Sequence, residues 1–333
     1  MADFIGHDTA EAALLAGLSE SRLHHAWLLS GPKGMGKASF AVRAARLLLS
    51  DSDGADGFDS ADTGPASALM RAGSHPDLKI LQRLPKKDGQ DLEDVTDETD
   101  LKRNISVDQV RQLQPLLGSK TAIASRRVII IDAADDLERG GANALLKNLE
   151  EPPENTVFFL VSHAPQRLLP TIRSRCRVQR FDPLTTERME AFLSERLPDL
   201  GVSERSALIL AAEGSPGRAL AMHGLDMADI TQQLGTIYRE GDRSGRLGSA
   251  LAQKLSLKAA NERYLAFLEQ APAYFAAIAR ERQPSDVAPV IDAWREATDL
   301  AARAIPLTLD KQSVVFRMAR LLAGLSTHRD ARQ

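Results

Sequence analysis

Gly31, Gly36 and Lys37 stand in the spacing G-x-x-x-x-G-K within Gly31-Pro32-Lys33-Gly34-Met35-Gly36-Lys37. Residues of these types in this order can converge on phosphate. Glycines, Gly34 among them, let backbone N–H groups approach the oxygens, the helix that follows adds the positive end of its dipole, and the lysine supplies a mobile cation. The next position, where a Ser or Thr hydroxyl would hold Mg²⁺, is Ala38. Ser39 comes one residue late, and a helix turns about 100° per residue, so its hydroxyl points away from the metal position. The loop thus keeps the means to grip ATP or ADP, while well-placed Mg²⁺ is not expected.

A second acidic motif shows a similar loss. Asp132 ends the run Val128-Ile129-Ile130-Ile131 and can orient a metal directly or through water, but Ala133 stands where a hydrolytic enzyme of this kind carries the base that polarises attacking water. Asp135 and Asp136 are charged neighbours beyond the end of that strand. With metal and base both weakened, hydrolysis is predicted to be very slow or absent. Arg175, in Ser174-Arg175-Cys176, presents the reverse case. A guanidinium there can project into a neighbouring subunit's nucleotide site and stabilise charge at the transferring phosphate; the alternative is a surface ion pair. His163 sits where a polar residue could sense a γ-phosphate, or else it is a solvated loop residue. Arg218, in Gly214-Ser215-Pro216-Gly217-Arg218, could reach a nucleotide as part of a lid, or form an interdomain salt bridge. His24 and His25 lack any metal-ligand spacing and read as structural.

These residues need a sheet to place them. Ala26-Trp27-Leu28-Leu29, Leu78 to Leu81, Val128 to Ile131, Phe158 to Val161 and Val178 to Phe181 read as strands, several of them continuous apolar runs of the kind buried on both faces. Helical spacing resumes between them, from Ala38 to Leu49 and at Val107, Val110, Leu113 and Leu117. Alternation of this kind predicts an α/β fold with a doubly wound parallel sheet, whose ligands sit at the carboxyl ends of the strands. Gly31 and Asp132 both fall there. After Asp182-Pro183 the pattern becomes helical only, with stripes at Met189, Phe192, Leu193 and Leu197; at Tyr264, Phe267, Leu268 and Ala271; at Ile291, Trp294 and Ala297; and at Val315, Met318, Leu322 and Leu325.

Composition narrows the function classes. With 333 residues the chain should form two or three domains, and a net charge of -3 supplies no overall basic field for DNA. The single cysteine, Cys176, excludes an internal disulfide and a multi-cysteine zinc site. Met1 to Gly6 lacks the pattern of a signal peptide and no segment suits a membrane span, so a cytoplasmic protein is expected. The acidic stretches 51–57 and 88–100 read as solvated insertions.

Asn143-Ala144-Leu145-Leu146-Lys147-Asn148-Leu149-Glu150-Glu151-Pro152-Pro153, followed by Leu169-Pro170-Thr171-Ile172-Arg173-Ser174-Arg175-Cys176, closely resembles the clamp-loader ATPases of the AAA+ superfamily. Within them the chain is most similar to the delta-prime branch of bacterial DNA polymerase III, and the likeness runs from about Phe4 to Phe181. The resemblance implies an ATPase-like domain over 1–182, a small helical lid over 183–225 and a helical collar over 226–333. It also implies a stator role beside gamma/tau and delta subunits in a ring of five, with the sliding clamp and primer-template DNA met through the complex and Arg175 acting as a finger in trans. Many relatives carry four cysteines ahead of the His75-Pro76-Asp77 segment; this chain has none there, so no zinc is expected. Two rival readings are a motor ATPase of gamma/tau type, using Ser39 and Asp135 or Asp136 as replacements, and a phosphotransferase built on the same loop.

Overall fold

Four β-branched residues in succession, Val128 to Ile131, are stiff at χ1 and apolar on both sides, so they form a strand covered on both faces. The computed structural model describes residues 8–20, 22–50, 58, 64–87, 89–95 and 100–326. In it this strand, β3 (Arg127–Asp132), is the second in a five-stranded parallel sheet ordered β2-β3-β4-β1-β5. The other strands are β1 (Ala26–Ser30), β2 (Leu78–Gln82), β4 (Thr156–Ser162) and β5 (Arg177–Arg180). Register brings the last residues of β1 and β4 side by side, Ser30 beside Ser162, and Gln82 beside Asp132. The carboxyl ends of the strands therefore share one edge of the sheet.

Successive side chains point to opposite faces, so each strand feeds two cores. Trp27, Leu29, Val128, Ile130, Phe159 and Val161 meet α1 (Asp8–Ser19) and α2 (Lys37–Leu49) through Leu14, Phe40, Ala44 and Leu48. On the other face, Leu28, Ile129, Ile131, Phe158 and Leu160 form a cluster with Val110, Leu113, Leu145 and Leu149. α3 (Pro65–Arg71) precedes β2. The helical spacing from Val107 to Leu117 is realised as two short helices, α4 (Val107–Arg111) and α5 (Gln114–Leu117), because Pro115 suits the start of a helix and not its interior. α6 (Arg139–Glu150) joins β3 to β4, and the single turn α7 (Pro170–Arg173) leads into β5.

Of the two acidic stretches, 51–57 lies outside the described residues, as does Met1 to Gly6. The second is described at 89–95 and Asp100, where a bridge between Pro85 and Leu101 and bonds from Lys86 N to Asp100 O and Lys102 N to Leu84 O close its base. It is an excursion pinched off beyond β2.

Contacts divide the chain into two units, 1–183 and 184–333. Among its described residues the second carries helices and no strand: α8 (Thr186–Arg196), α9 (Val202–Ala212), α10 (Pro216–Met222), α11 (Met227–Glu240), α12 (Arg246–Ser256), α13 (Asn261–Glu281), α14 (Ala288–Ala304) and α15 (Lys311–Gly324). Leu197 falls just past the end of α8. Gly248 lets α12 lie close on α15: a Cβ there would stand 3.0 Å from that of Ala319. The inward face of α14 is Val290, Ala293 and Ala297; Ile291 is only partly buried and Trp294 is 38% exposed, so the stripe read from sequence is turned by one residue at its first two positions. Among the described residues no helix is long and apolar enough to cross a membrane.

Candidate functional site

Gly31 follows β1 and donates its N–H to the Ser162 carbonyl at the end of β4 (3.3 Å). Its φ is +150°, and a Cβ would stand 2.2 Å from the carbonyl oxygen of Phe181, just past β5. Only glycine fits between these two strand ends. Gly34 and Gly36 take φ of 80° and 78°, turning the chain back so that α2 begins at Lys37 and points its N-terminus at the loop. Lys37 is buried, and its Nζ donates to the carbonyls of Gly31 (2.6 Å) and Pro32. Burial lowers its pKa to about 8, against the pull of the Asp132 and Asp135 carboxylates. Burial likewise raises the Asp132 pKa, with the Lys37 charge opposing it.

An ammonium resting on two neutral carbonyls beside glycines that crowd the backbone fits a phosphate group, whose anionic oxygens are stronger acceptors. The position after Lys37 offers a metal no hydroxyl: Ala38 has no side-chain oxygen and is partly buried against the core, and Ser39 lies exposed on α2. Among the described residues no group of three His, Cys, Asp or Glu side chains is arranged to hold a metal ion.

Asp135 and Asp136 are both engaged elsewhere. Asp135 accepts from the Ser162 hydroxyl (2.8 Å), from the backbone N–H of His163 (2.5 Å) and, more weakly, from that of Ala164 (3.4 Å). Asp136 pairs with Arg83 (3.1 Å). Each is held by a structural tie on its own fold. His163 is exposed at the end of β4, on the same edge as Gly31 and Asp132.

Arg175 lies one residue beyond the cap of α7, between Ile172 and Cys176, which are buried in the sheet's second core. Burial pushes the Cys176 thiol up to about 12, so this cysteine is an inert apolar anchor. The Arg175 side chain is 34% exposed; its Nη1 donates to Thr171 O (3.0 Å) and Ser174 Oγ (3.3 Å), and its Nη2 meets Glu150 Oε1 at 2.7 Å. The side chain is thus partly exposed, with its guanidinium held by neighbours on its own fold. Arg218, in the other unit, donates to Glu213 (3.1 Å), Glu269 (3.1 Å) and the carbonyl of Ala211 (3.0 Å), tying α10 to the end of α9 and to α13. All of these partners lie within the helical unit.

Glu150 was not singled out by the sequence, because its partner is 25 residues away and its own helix gives it no chemistry. The same holds for Asp77. Its buried carboxylate accepts from Ala122, Ile123 and Ala124 N–H (2.7, 2.9 and 3.0 Å) and sits 4.0 Å from Arg127, so it pins the loop that enters β3. His25 Nε2 holds Leu149 O (3.1 Å) and the His24 ring stacks on that of His25.

A family model described as DNA polymerase III, delta subunit, matches residues 6–185. The DNA polymerase III subunit delta' of Pseudomonas aeruginosa is 36% identical over 211 residues, 63% of this chain and 59% of that protein. The subunit delta' of Escherichia coli K12 is 35% identical over 209 residues, 63% of this chain and 57% of that protein. DNA polymerase III subunit tau of E. coli K12 is 31% identical over 287 residues, 82% of this chain and 40% of that protein. Less than two thirds of each relative's length is thus matched.

Proposed function

The chain belongs to the family described as DNA polymerase III, delta subunit, and from that premise we propose that it is a delta-prime-type stator of a replicative clamp loader. In this reading the first unit is an AAA+ domain. The helices to about residue 225 are its lid, and those beyond are a collar through which it joins gamma/tau and delta subunits in an open ring of five. The complex places a sliding clamp on primed DNA in the cytoplasm, and this chain meets clamp and DNA through its partners.

The observation that carries the proposal is Arg175: a partly exposed cation bonded to Thr171 and Ser174, paired with Glu150 and set between the buried Ile172 and Cys176. In trans it would neutralise charge developing on a neighbour's transferring phosphate. The chain's own loop would hold ATP or ADP through its glycine backbone and Lys37, without a well-placed Mg²⁺ and without zinc. Hydrolysis by the chain itself is not expected, since the loop lacks the hydroxyl at Ala38 and the two aspartates nearest Ala133 are committed to other partners. That commitment also speaks against a motor ATPase built on Asp135 or Asp136.

Two measurements test this. The purified chain should show no ATP turnover above background; robust turnover without partners would reject the stator reading. In the reconstituted complex, Arg175→Ala should leave assembly intact and slow the one site it faces by roughly 10³-fold or more, as for arginine fingers elsewhere, so total turnover drops by that site's whole share. Unchanged turnover removes the finger.

A further inference from the structure

Glu150 closes α6 and Arg175 follows α7, two elements that the sequence separates and the second core joins. Each side of the pair is fixed from below. Leu149 is buried and its carbonyl is held by His25, while Ile172 and Cys176 are buried on the other side. Their charged neighbours are thereby presented to one another at 2.7 Å, with the Arg175 side chain 34% and the Glu150 side chain 47% exposed. The guanidinium donates through Nη1 to Thr171 O and Ser174 Oγ, and its Nη2 forms an ion pair with Glu150. Among the described residues, no hydrogen-bond acceptor meets the Nε–H.

From this geometry we infer that Glu150 is a positioning residue for Arg175, an inference that rests on the trans-acting role proposed above. An exposed ion pair of this kind is too weak to withhold the arginine from a neighbour's triphosphate. It is enough to fix the orientation of a long side chain that would otherwise spread over many rotamers, and to present its remaining N–H groups before the neighbour arrives. Glu150 touches no nucleotide in this scheme; it acts only through the arginine.

The test is a double-mutant cycle in the reconstituted clamp-loader complex, reading steady-state ATP turnover with clamp and primed DNA present. Glu150→Ala should lower kcat at the Arg175-facing site by about 3- to 10-fold, the scale of losing orientation while keeping the group, with KM for ATP unchanged. Glu150→Gln, which keeps an oxygen acceptor at the same reach, should restore the rate to within about twofold. In an Arg175→Ala background, Glu150→Ala should cost nothing more. If Arg175→Ala slows turnover and Glu150→Ala does not, or if Glu150→Ala costs the same with and without Arg175, the positioning role is wrong while the finger stands. If Arg175→Ala itself has no effect, the finger fails and this inference with it.

Discussion

Replacing Gly31 by alanine tests how the phosphate-binding loop is held against the sheet. The added Cβ would stand 2.2 Å from the Phe181 carbonyl oxygen, where contacts below 3.0 Å are essentially never found, so that oxygen must retreat by about 0.8 Å. It cannot retreat alone: Phe181 N–H is bonded to Ser30 O (2.8 Å), and its ring is buried edge-on to Phe40 at 5.5 Å. Overpacking of this sort costs about 1–3 kcal/mol. A non-glycine residue held at φ near +150° adds about 1–3 kcal/mol. The first unit should therefore lose roughly 4 kcal/mol, a fall of about 2 M in urea midpoint at a slope near 2 kcal/mol/M. The assay is fluorescence of Trp27, fully buried in β1, in a Trp294→Phe background so that emission reports this unit alone. Gly73→Ala is the control. Its φ is +63° but nothing lies within 4 Å of the new Cβ, so it should cost only the conformational part, about 1 kcal/mol. Equal midpoints for the two variants would refute the wedge.

Two further predictions follow from the charged groups of the first unit. Burial works to raise the Asp77 pKa, yet the N–H groups of Ile123, Ala124 and Ala122, with Arg127, hold it below the usual carboxylate value. A depressed folded-state pKa means stability that is present above the unfolded value and lost as pH falls through the folded one. Asp77→Ala should cost about 3 kcal/mol near neutral pH and flatten the acid limb of a stability-versus-pH curve; a variant as acid-sensitive as the parent would contradict this. For Lys37, whose amine titrates near 8, only the protonated form attracts phosphate. Affinity for a non-hydrolysable ATP analogue should fall about tenfold per pH unit above that value until the pKa of the complex is reached. A titration flat to pH 10, or a step that survives Lys37→Met, would show that the amine is not the group responsible.

The sheet was legible because its signals are local. Val128 to Ile131 and Phe158 to Val161 announce buried strands by composition alone, and the glycine spacing fixes the loop between β1 and α2. What escaped were partnerships across the chain. Asp135 reads as a spare acid until Ser162 and His163 are seen to claim it, 27 and 28 residues on. Glu150 reads as one more charge at a helix end until Arg175 is beside it. The Val107 to Leu117 stretch looks like one helix because apolar spacing continues through it, while Pro115 imposes a restart. In α14, large Trp294 and Ile291 drew the reading toward themselves, whereas the close side is built from small Ala293 and Ala297.

The carboxylate of Asp135 stitches the turn after β3 to the start of the loop after β4. Two adjacent lips of the sheet are thereby fastened, so parting the turn after β3 from the loop after β4 must break the bonds that Ser162, His163 and Ala164 give to Asp135.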